Sequence, residues 1–327
     1  MLFLDDGPAI LLVALGLDAV VGDPPWLWRR LPHPVALIGR AIGAADRGLN
    51  DARLPFATRR RRGGLAFAGI LLAGIAAAAF VEAVFAELPW PIGSVLIAIL
   101  GAIFLAQRSL YDHVHVVEAP LADGNLAAAR SAVSHVVGRD TARLDEAGIA
   151  RAAIETTAES FCDGVVAPAF WFALFGLPGI VAYKIINTAD SMIGHDDARH
   201  RAFGFFAAKT DDLVNLIPAR LSGALVALAA PLARGRIGHA FSIMLRDAPK
   251  HASPNAGWPE AAMAGGLDVA LLGPTPYGGE LTDKAWLNPE GRREAGARDI
   301  RRGLRVYLGA AALHALLWAI VAAIAAL

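Results

Sequence analysis

The chain has 327 residues, of which 56% are hydrophobic and only 18% are charged, and its 30 basic residues balance its 30 acidic residues. The high hydrophobicity excludes an intrinsically disordered chain, and the zero net charge excludes nucleic-acid binding by bulk charge. A very apolar soluble protein and an integral membrane protein are the classes that remain.

The N-terminal region lacks the features of a signal peptide. Asp5 and Asp6 stand where a signal peptide carries basic residues, so no cleaved signal is predicted. The apolar stretch 8–22 is short for a membrane span and ends beside Asp18 and Asp23. Both a buried core helix and a span remain open for it.

Two later segments have the length of membrane helices. Residues 64–86 and 306–327 are mostly apolar, and a span needs about 20 such residues. Glu82 is the one formal charge in the first segment. A proline-rich link then leads to the short apolar segment 92–106, so 64–107 is predicted to form a membrane hairpin.

The apolar segments between residues 164 and 232 are interrupted. Gly176, Pro178 and Gly179 divide the first of them, and Arg220 lies within the second. Charges and broken helices are tolerated at membrane depth mainly where they line a cavity or are buried in protein. The pattern predicts broken or re-entrant helices that line a site, and two ordinary spans with a proline kink are the alternative.

Arginine-rich segments determine the predicted orientation. Residues 29–62 and 233–305 are rich in arginine, and basic loops face the cytoplasm. The hairpin returns 108–163 to the same side. The sequence therefore predicts an all-α polytopic integral membrane protein, a single domain over 1–327, with about 4–6 membrane segments and cytoplasmic helical loops.

Polar clusters lie at the ends of the apolar segments. Asp23 ends the first apolar stretch and is followed by His33 and Arg40. A carboxylate there can hold a hydrated Mg²⁺, and simple helix termination by Gly-Asp-Pro-Pro is the alternative. Farther along, Arg139 precedes a predicted helix start and has the guanidinium group that holds phosphate.

A row of acids precedes the broken segment. Glu155, Glu159 and Asp163 recur every four residues, so they are predicted to share one helical face. Like charges at this spacing repel unless a cation lies between them. Metal or nucleotide binding and a solvated helix face both remain open.

Three further clusters follow the broken segment. The first two have helical spacing, and the third has the turn-forming residues of an ordered loop in which His251 could act as an acid or base. Their candidate residues are Lys184, Asn187, Asp190 and Ser191; then Lys209, Asp211, Asp212, Asn215 and Arg220; then His251, Ser253 and Asn255. No P-loop, HExxH or paired CxxC motif occurs. The residues alone thus indicate a polar, carboxylate-rich site suited to a metal–phosphate substrate.

Seven strings in the chain together resemble the adenosylcobinamide-phosphate synthase family of cobalamin biosynthesis. They occur in the family's order over most of 18–280, and two departures from its pattern are Ser160 and Lys209. The strings are DAVVGDPP, LPHPVALIGR, VVGRDTARLDE, ETTAESFCDGVVAPAF, GLPGIVAYKIINTADSMIGH, FGFFAAKTDDLVNLIPARL and DAPKHASPNAGWPEAAMAGGL.

The resemblance implies an amide-forming reaction driven by ATP with Mg²⁺. The expected substrates are the corrinoid adenosylcobyric acid and an aminoalcohol phosphate, either (R)-1-amino-2-propanol O-phosphate or ethanolamine phosphate. The implied location is the bacterial inner membrane, with the active site facing the cytoplasm. Contact with lipid and with later enzymes of the pathway is expected, and contact with nucleic acid is not.

The matched strings also imply residue roles. The expected catalytic residues are Glu155, Glu159, Asp163, Asp190 and His251, and the expected metal ligands are Asp23, Asp190, Asp211 and Asp212. The expected substrate or phosphate contacts are His33, Arg40, Arg139, Lys184, Asn187, Ser191, Lys209, Asn215, Arg220, Ser253 and Asn255.

Two other classes of function remain as alternatives. The string NTADSMIGHDD has a loose likeness to the Asn/Asp-rich motifs of Mg²⁺-dependent intramembrane prenyltransferases. A non-enzymatic membrane regulator or transporter is the second alternative, although a transporter would more commonly show broken helices in two halves.

Overall fold

The computed structural model describes residues 7–137, 141–277, 280–282 and 284–327, and within them the chain is mostly helical. This agrees with the predicted all-α class. Short irregular turns interrupt the helices, with a π-helical turn at Cys162–Val166 and 3₁₀ turns at Ala230–Ala233 and Ala248–Lys250. The α-helices are α1 (Gly7–Val21), α2 (Pro25–Trp28), α3 (Pro34–Leu49), α4 (Phe56–Ala86), α5 (Ile92–Ala102), α6 (Gln107–Ala122), α7 (Leu126–Ser134), α8 (Glu146–Phe161), α9 (Ala167–Ile193), α10 (Phe205–Val214), α11 (Leu216–Ala229), α12 (Ile237–Asp247), α13 (Gly257–Leu267) and α14 (Ala297–Ala325).

Four short strands lie between the last two helices and form two antiparallel pairs. Strands β1 (Leu271–Leu272) and β4 (Trp286–Leu287) pair with each other, as do β2 (Thr275–Tyr277) and β3 (Glu280–Thr282). These strands could not be predicted from the sequence, because runs of two or three residues are too short to show a period-2 pattern.

Five helical segments of the described chain are long and apolar enough to cross a membrane. Five segments fall within the predicted range of about 4–6. Together with the all-α content, they are those of a polytopic membrane protein. They are Phe56–Ala86, Ile92–Ala122, Glu146–Ile193, Leu216–Ala233 and Ala297–Ala325. The short helix α1 is apolar but falls below the length of a span.

The chain divides into two compact units. The first comprises residues 1–106, 167–215 and 318–327, and the second comprises residues 107–166 and 216–317. Neither unit is continuous in sequence, because the chain passes between them before α6, before α9, after α10 and within α14. The helices of the two units alternate along the chain, and the single domain over 1–327 stays a prediction.

In the first unit, α9 is the central element and packs against α1, α3, α4, α5 and α10. A buried apolar cluster around Phe67, Ile186, Ile193 and Phe203 joins α3, α4, α9 and α10. This packing places the polar end of α9 beside the polar face of α10.

Helix α9 is interrupted at Gly176, where the sequence predicts a break. Gly176 has a φ of 63°, and a side chain there would overlap the carboxylate of Glu82. Glu82 of α4 accepts a hydrogen bond of 2.6 Å from the backbone N–H of Leu177. The lone charge of an apolar segment thus satisfies an N–H group freed by the break, as a buried backbone donor requires.

In the second unit, α13 is the central element and packs against α8, α11 and α12. Small residues fill α13, which is buried along its whole length from Gly257 to Leu267 apart from the half-buried Trp258. Tyr307 of α14 is also buried and donates a hydrogen bond of 2.6 Å to the carbonyl of Gln107. These contacts position the loop before α13, which carries the predicted His251.

Candidate functional site

The first unit brings together the polar residues of α9 and α10. Tyr183 donates a hydrogen bond of 3.1 Å to Asn215 Oδ1, and Asn215 Nδ2 donates one of 3.0 Å to Asp211 Oδ2. Tyr183 and Asn215 are almost fully buried. The buried tyrosine and amide therefore hold Asp211 in one orientation at the end of α10.

Three carboxylates of this region interact through their charges. Burial, and then the negative charge of Asp190, raise the pKa of Asp211 to about 7, while the amides of Asn215 and Asn187 oppose the shift. The negative charge of Asp212 raises the pKa of Asp211 by a smaller amount. Asp212 itself accepts a hydrogen bond of 2.8 Å from Lys209 Nζ. We call Asp190, Asp211 and Asp212 the α9–α10 carboxylates.

The α9–α10 carboxylates have donor atoms that suit Mg²⁺. Asp211 Oδ1 is buried, and within the described residues no hydrogen-bond donor reaches it. In the parts of the chain that the structure describes, no three His, Cys, Asp or Glu side chains are placed to hold a metal ion by themselves. Mg²⁺ needs only one or two carboxylates when water and phosphate oxygens supply its other ligands, so the group fits an ion that arrives with a phosphate.

Other predicted residues of the first unit lie nearby in the chain but have different partners. Ser191 donates to the carbonyl of Asn187 at 2.9 Å, and Lys184 is half-buried one turn before Asn187. His33 accepts from the N–H of Val35 and so caps α3, while its Nε2 lies 3.5 Å from Asp23 Oδ1. Arg40 is exposed farther along α3. The predicted metal ligand Asp23 is thus paired with His33, which the sequence analysis assigned to substrate binding.

In the second unit, the three acids predicted to share one face have different surroundings. Glu155 is buried, and its Oε1 accepts a hydrogen bond of 2.8 Å from the N–H of Leu272. Glu159 is exposed on α8, and Asp163 is half-buried in the π-helical turn. The row therefore does not form one uniform acidic surface, because its three members differ in burial.

Leu272 explains the position of Glu155. Leu272 has a φ of 62°, which is uncommon for a branched side chain, and its backbone N–H needs a partner where it is buried. Glu155 provides that partner from α8 across 117 residues of chain. A structural contact with β1 is therefore the role that the geometry shows for Glu155.

The predicted loop residues before α13 form a second polar group. The N–H of Ser253 donates to His251 Nδ1 at 2.9 Å, which puts the imidazole proton on Nε2, 3.7 Å from Glu260 Oε1. Burial is the largest effect on the pKa of His251 and lowers it. His251 is therefore neutral at pH 7 and has the protonation state of a base.

Arg220 and Asn255 complete this group. Arg220 Nη1 donates to Asn255 Oδ1 at 3.1 Å, and its guanidinium carbon lies 4.6 Å from the ring centroid of Trp258. Arg220 of α11, which was predicted to bind phosphate, thus holds the loop to this helix. We call His251, Ser253, Asn255, Glu260 and Arg220 the loop group.

A buried ion-pair network around Asp247 also lies in the second unit, and the sequence analysis assigned it no role. Asp247 is fully buried and accepts two hydrogen bonds of 2.8 Å from Arg246, one of 2.6 Å from Lys250 and one of 2.8 Å from the N–H of Asn288. Burial opposes its ionisation, but these donors prevail and hold the pKa of Asp247 at about 2. Arg246 also binds the exposed Glu290. Arg246 and Lys250 lie one and three residues from Asp247, so their contacts could be predicted from the sequence. The contact with Asn288 could not, because Asn288 is distant in the chain.

Arg139 lies outside the described residues, so its predicted contact with phosphate stays a prediction. The structure does bring together Asp190 with Asp211 and Asp212, and His251 with Ser253. It adds Tyr183, Glu260 and Asp247, which the sequence analysis did not select.

The chain was compared with known proteins. Residues 11–307 match the family described as CobD/Cbib protein. The chain belongs to this family. The resemblance drawn from the seven strings is therefore confirmed over nearly the whole chain.

Relatives in the family are similar over nearly their full length. A protein named cobalamin biosynthesis protein CobD from Brucella suis biovar 1 (strain 1330) is 50% identical over 300 residues, which are 91% of each chain. Proteins of the same name from Sinorhizobium sp and Rhodobacter capsulatus are 49% and 46% identical, covering 94% and 95% of this chain and 95% and 98% of their own. No solved structure matches the chain.

Proposed function

We propose that this chain is an adenosylcobinamide-phosphate synthase that acts in cobalamin biosynthesis. It would join a propionate of adenosylcobyric acid to the amine of (R)-1-amino-2-propanol O-phosphate or ethanolamine phosphate. The family match over residues 11–307 carries the proposal, and the names of the relatives support it.

The proposed reaction needs an activated carboxyl group, because a carboxylate does not condense with an amine in water unaided. ATP would transfer its terminal phosphoryl group to the propionate, which gives ADP and an acyl phosphate. The neutral amine would then attack the acyl carbon, phosphate would leave, and the amine would lose a proton. The products are the amide, ADP and inorganic phosphate.

The α9–α10 carboxylates are the proposed ligands of Mg²⁺ in this reaction. When bound, Mg²⁺ neutralises charge on transferring phosphoryl oxygens. Asp211 would contribute its buried Oδ1, and Tyr183 with Asn215 would hold the carboxylate in place. Lys184 and Lys209 are proposed phosphate contacts on the same two helices. We further propose that the site faces the cytoplasm of a bacterial inner membrane, where ATP is present.

A product assay tests the proposal directly. The purified chain in detergent or nanodiscs is incubated with adenosylcobyric acid, aminopropanol phosphate and Mg-ATP. Adenosylcobinamide phosphate and ADP should form in equal amounts, as measured by mass spectrometry and chromatography, and each omitted substrate should abolish the product. Turnover of a polyprenyl diphosphate without any corrin product would show that the proposal is wrong.

A further inference from the structure

A groove outside the predicted reaction residues lies at the beginning of the spanning helix α4. Its volume is about 630 Å³, and a face of α4 forms one wall while Phe206 and Thr210 of α10 form the other. The lining residues of α4 extend from Phe56 to Ala68, or about 18 Å along the helix axis. The groove has the length for a chain-like ligand, which a single small ion would not fill.

The groove is positively charged at one end. Arg60 and Arg61 line the part that begins α4. The guanidinium carbon of Arg60 lies 3.6 Å from the ring centroid of Phe205, a contact that keeps this cation at the groove mouth. Within the described residues, neither Arg60 nor Arg61 forms an ion pair with a carboxylate. This end is therefore complementary to an anion.

The other end of the groove is apolar. Leu65, Phe67 and Ala68 line it, and Leu65 is 68% exposed. A Cβ at Gly64 would lie 2.6 Å from the ring of Phe206, so α4 and α10 approach closely along the wall. Because α4 is one of the candidate spans, this end extends toward the hydrocarbon layer, where an acyl chain would cover it.

We propose that the groove binds an anionic phospholipid, with its phosphate at Arg60 and Arg61 and an acyl chain along Leu65, Ala68 and Phe206. Basic pockets at the cytoplasmic ends of membrane helices bind anionic head groups. A soluble phosphate would use the arginines but leave the apolar half of the groove exposed. The amphipathic character of the groove therefore selects a lipid.

The test measures the affinity of the purified full chain, in neutral detergent, for phosphatidylglycerol by native mass spectrometry, with phosphatidylcholine as the reference lipid. The double variant Arg60→Gln/Arg61→Gln should bind phosphatidylglycerol about 30-fold more weakly, since each arginine near an anionic lipid contributes about a factor of five. Arg62→Gln is the matched control, because Arg62 belongs to the same arginine run but does not line the groove. Its affinity should change less than about twofold.

A second variant tests the apolar half of the groove. Ala68→Trp should obstruct the acyl chain and weaken phosphatidylglycerol binding while both arginines remain. All variants should keep the wild-type melting temperature in phosphatidylcholine. If the double arginine variant melts at a lower temperature, its weaker lipid binding could reflect unfolding, and the affinity of Ala68→Trp then tests the proposal. Equal losses for Arg62→Gln and the double variant would overturn the proposal. Full affinity in folded Ala68→Trp would also overturn it.

Discussion

Asp211 and Asp247 are both acids at the carboxyl ends of helices, but their surroundings have opposite effects on them. Asp247 accepts hydrogen bonds from Arg246, Lys250 and a backbone N–H, and its pKa is held at about 2. Asp211 lies among acids, receives a hydrogen bond from an amide, and has a pKa raised to about 7. Removing one partner of a paired buried acid costs stability, whereas crowded acids are stable as neighbours when one is protonated or a cation joins them. Asp247 therefore belongs to a structural network, and Asp211 belongs to a candidate site.

The largest expected effect on stability is that of Asp247→Asn. The change leaves the partly exposed Arg246 and Lys250 beside a neutral group, and the fall of the Asp247 pKa from 3.8 to about 2 corresponds to about 2–3 kcal/mol. The free energy of unfolding, measured by denaturant titration in detergent, should fall by that amount.

Glu290→Gln is the matched control for Asp247→Asn, because it removes the other acid that binds Arg246. Glu290 is exposed, and an exposed pair contributes at most about 1 kcal/mol. If both variants had the same small effect, Asp247 would not be the centre of the network.

Asp211→Asn should have its main effect on activity. Removing one proposed Mg²⁺ ligand should lower the rate of amide formation about 100-fold, the size of effect seen when groups around a metal are changed. Stability should stay the same or rise, because a repulsive charge is removed. The measurement pairs the product assay with thermal unfolding.

Asp196→Asn is the control for Asp211→Asn, since Asp196 is an exposed acid between α9 and α10 that pairs with Arg201. Its activity should match the wild type. An Asp211→Asn variant that unfolds but keeps full activity per folded molecule would place Asp211 with Asp247 as a structural acid.

Glu82 is an intermediate case, a carboxylate that accepts a hydrogen bond from a backbone N–H. Glu82→Leu removes the acceptor of the Leu177 N–H and should cost about 1–3 kcal/mol of stability, the penalty for an unsatisfied buried donor. Glu82→Gln keeps a carbonyl acceptor and should retain most of the stability. Equal stability of Glu82→Leu and wild type would show that the break at Gly176 does not need this contact.

The contribution of Asp247 to the free energy of unfolding should depend on pH. The folded pKa of Asp247 is below its ordinary value of 3.8, so its contribution is complete above about pH 4 and is lost as the pH falls toward about 2. The difference in unfolding free energy between wild type and Asp247→Asn should therefore shrink across this window. A difference that stays constant from pH 5 to 2 would contradict the assigned pKa.

Much of the α9–α10 region could be predicted because its signals are local. The break at Gly176 follows from glycine and proline, and the shared side of Asn187 and Asp190 follows from helical spacing. The partners of Glu155 and Glu82 could not be predicted in this way, since each bonds to a backbone N–H about 100 residues away. The row of Glu155, Glu159 and Asp163 also appears uniform in sequence, but burial separates its members.

The sequence by itself determined the membrane character, the helical class and the family, because hydrophobic segments and ordered motifs are properties of neighbouring residues. Only the tertiary structure decided which acids are satisfied. That outcome depends on long-range donors and on burial, which place cations around Asp247, a single N–H beside Glu82 and other acids near Asp211. The same residue type therefore stabilises the fold at one position and marks a candidate metal site at another.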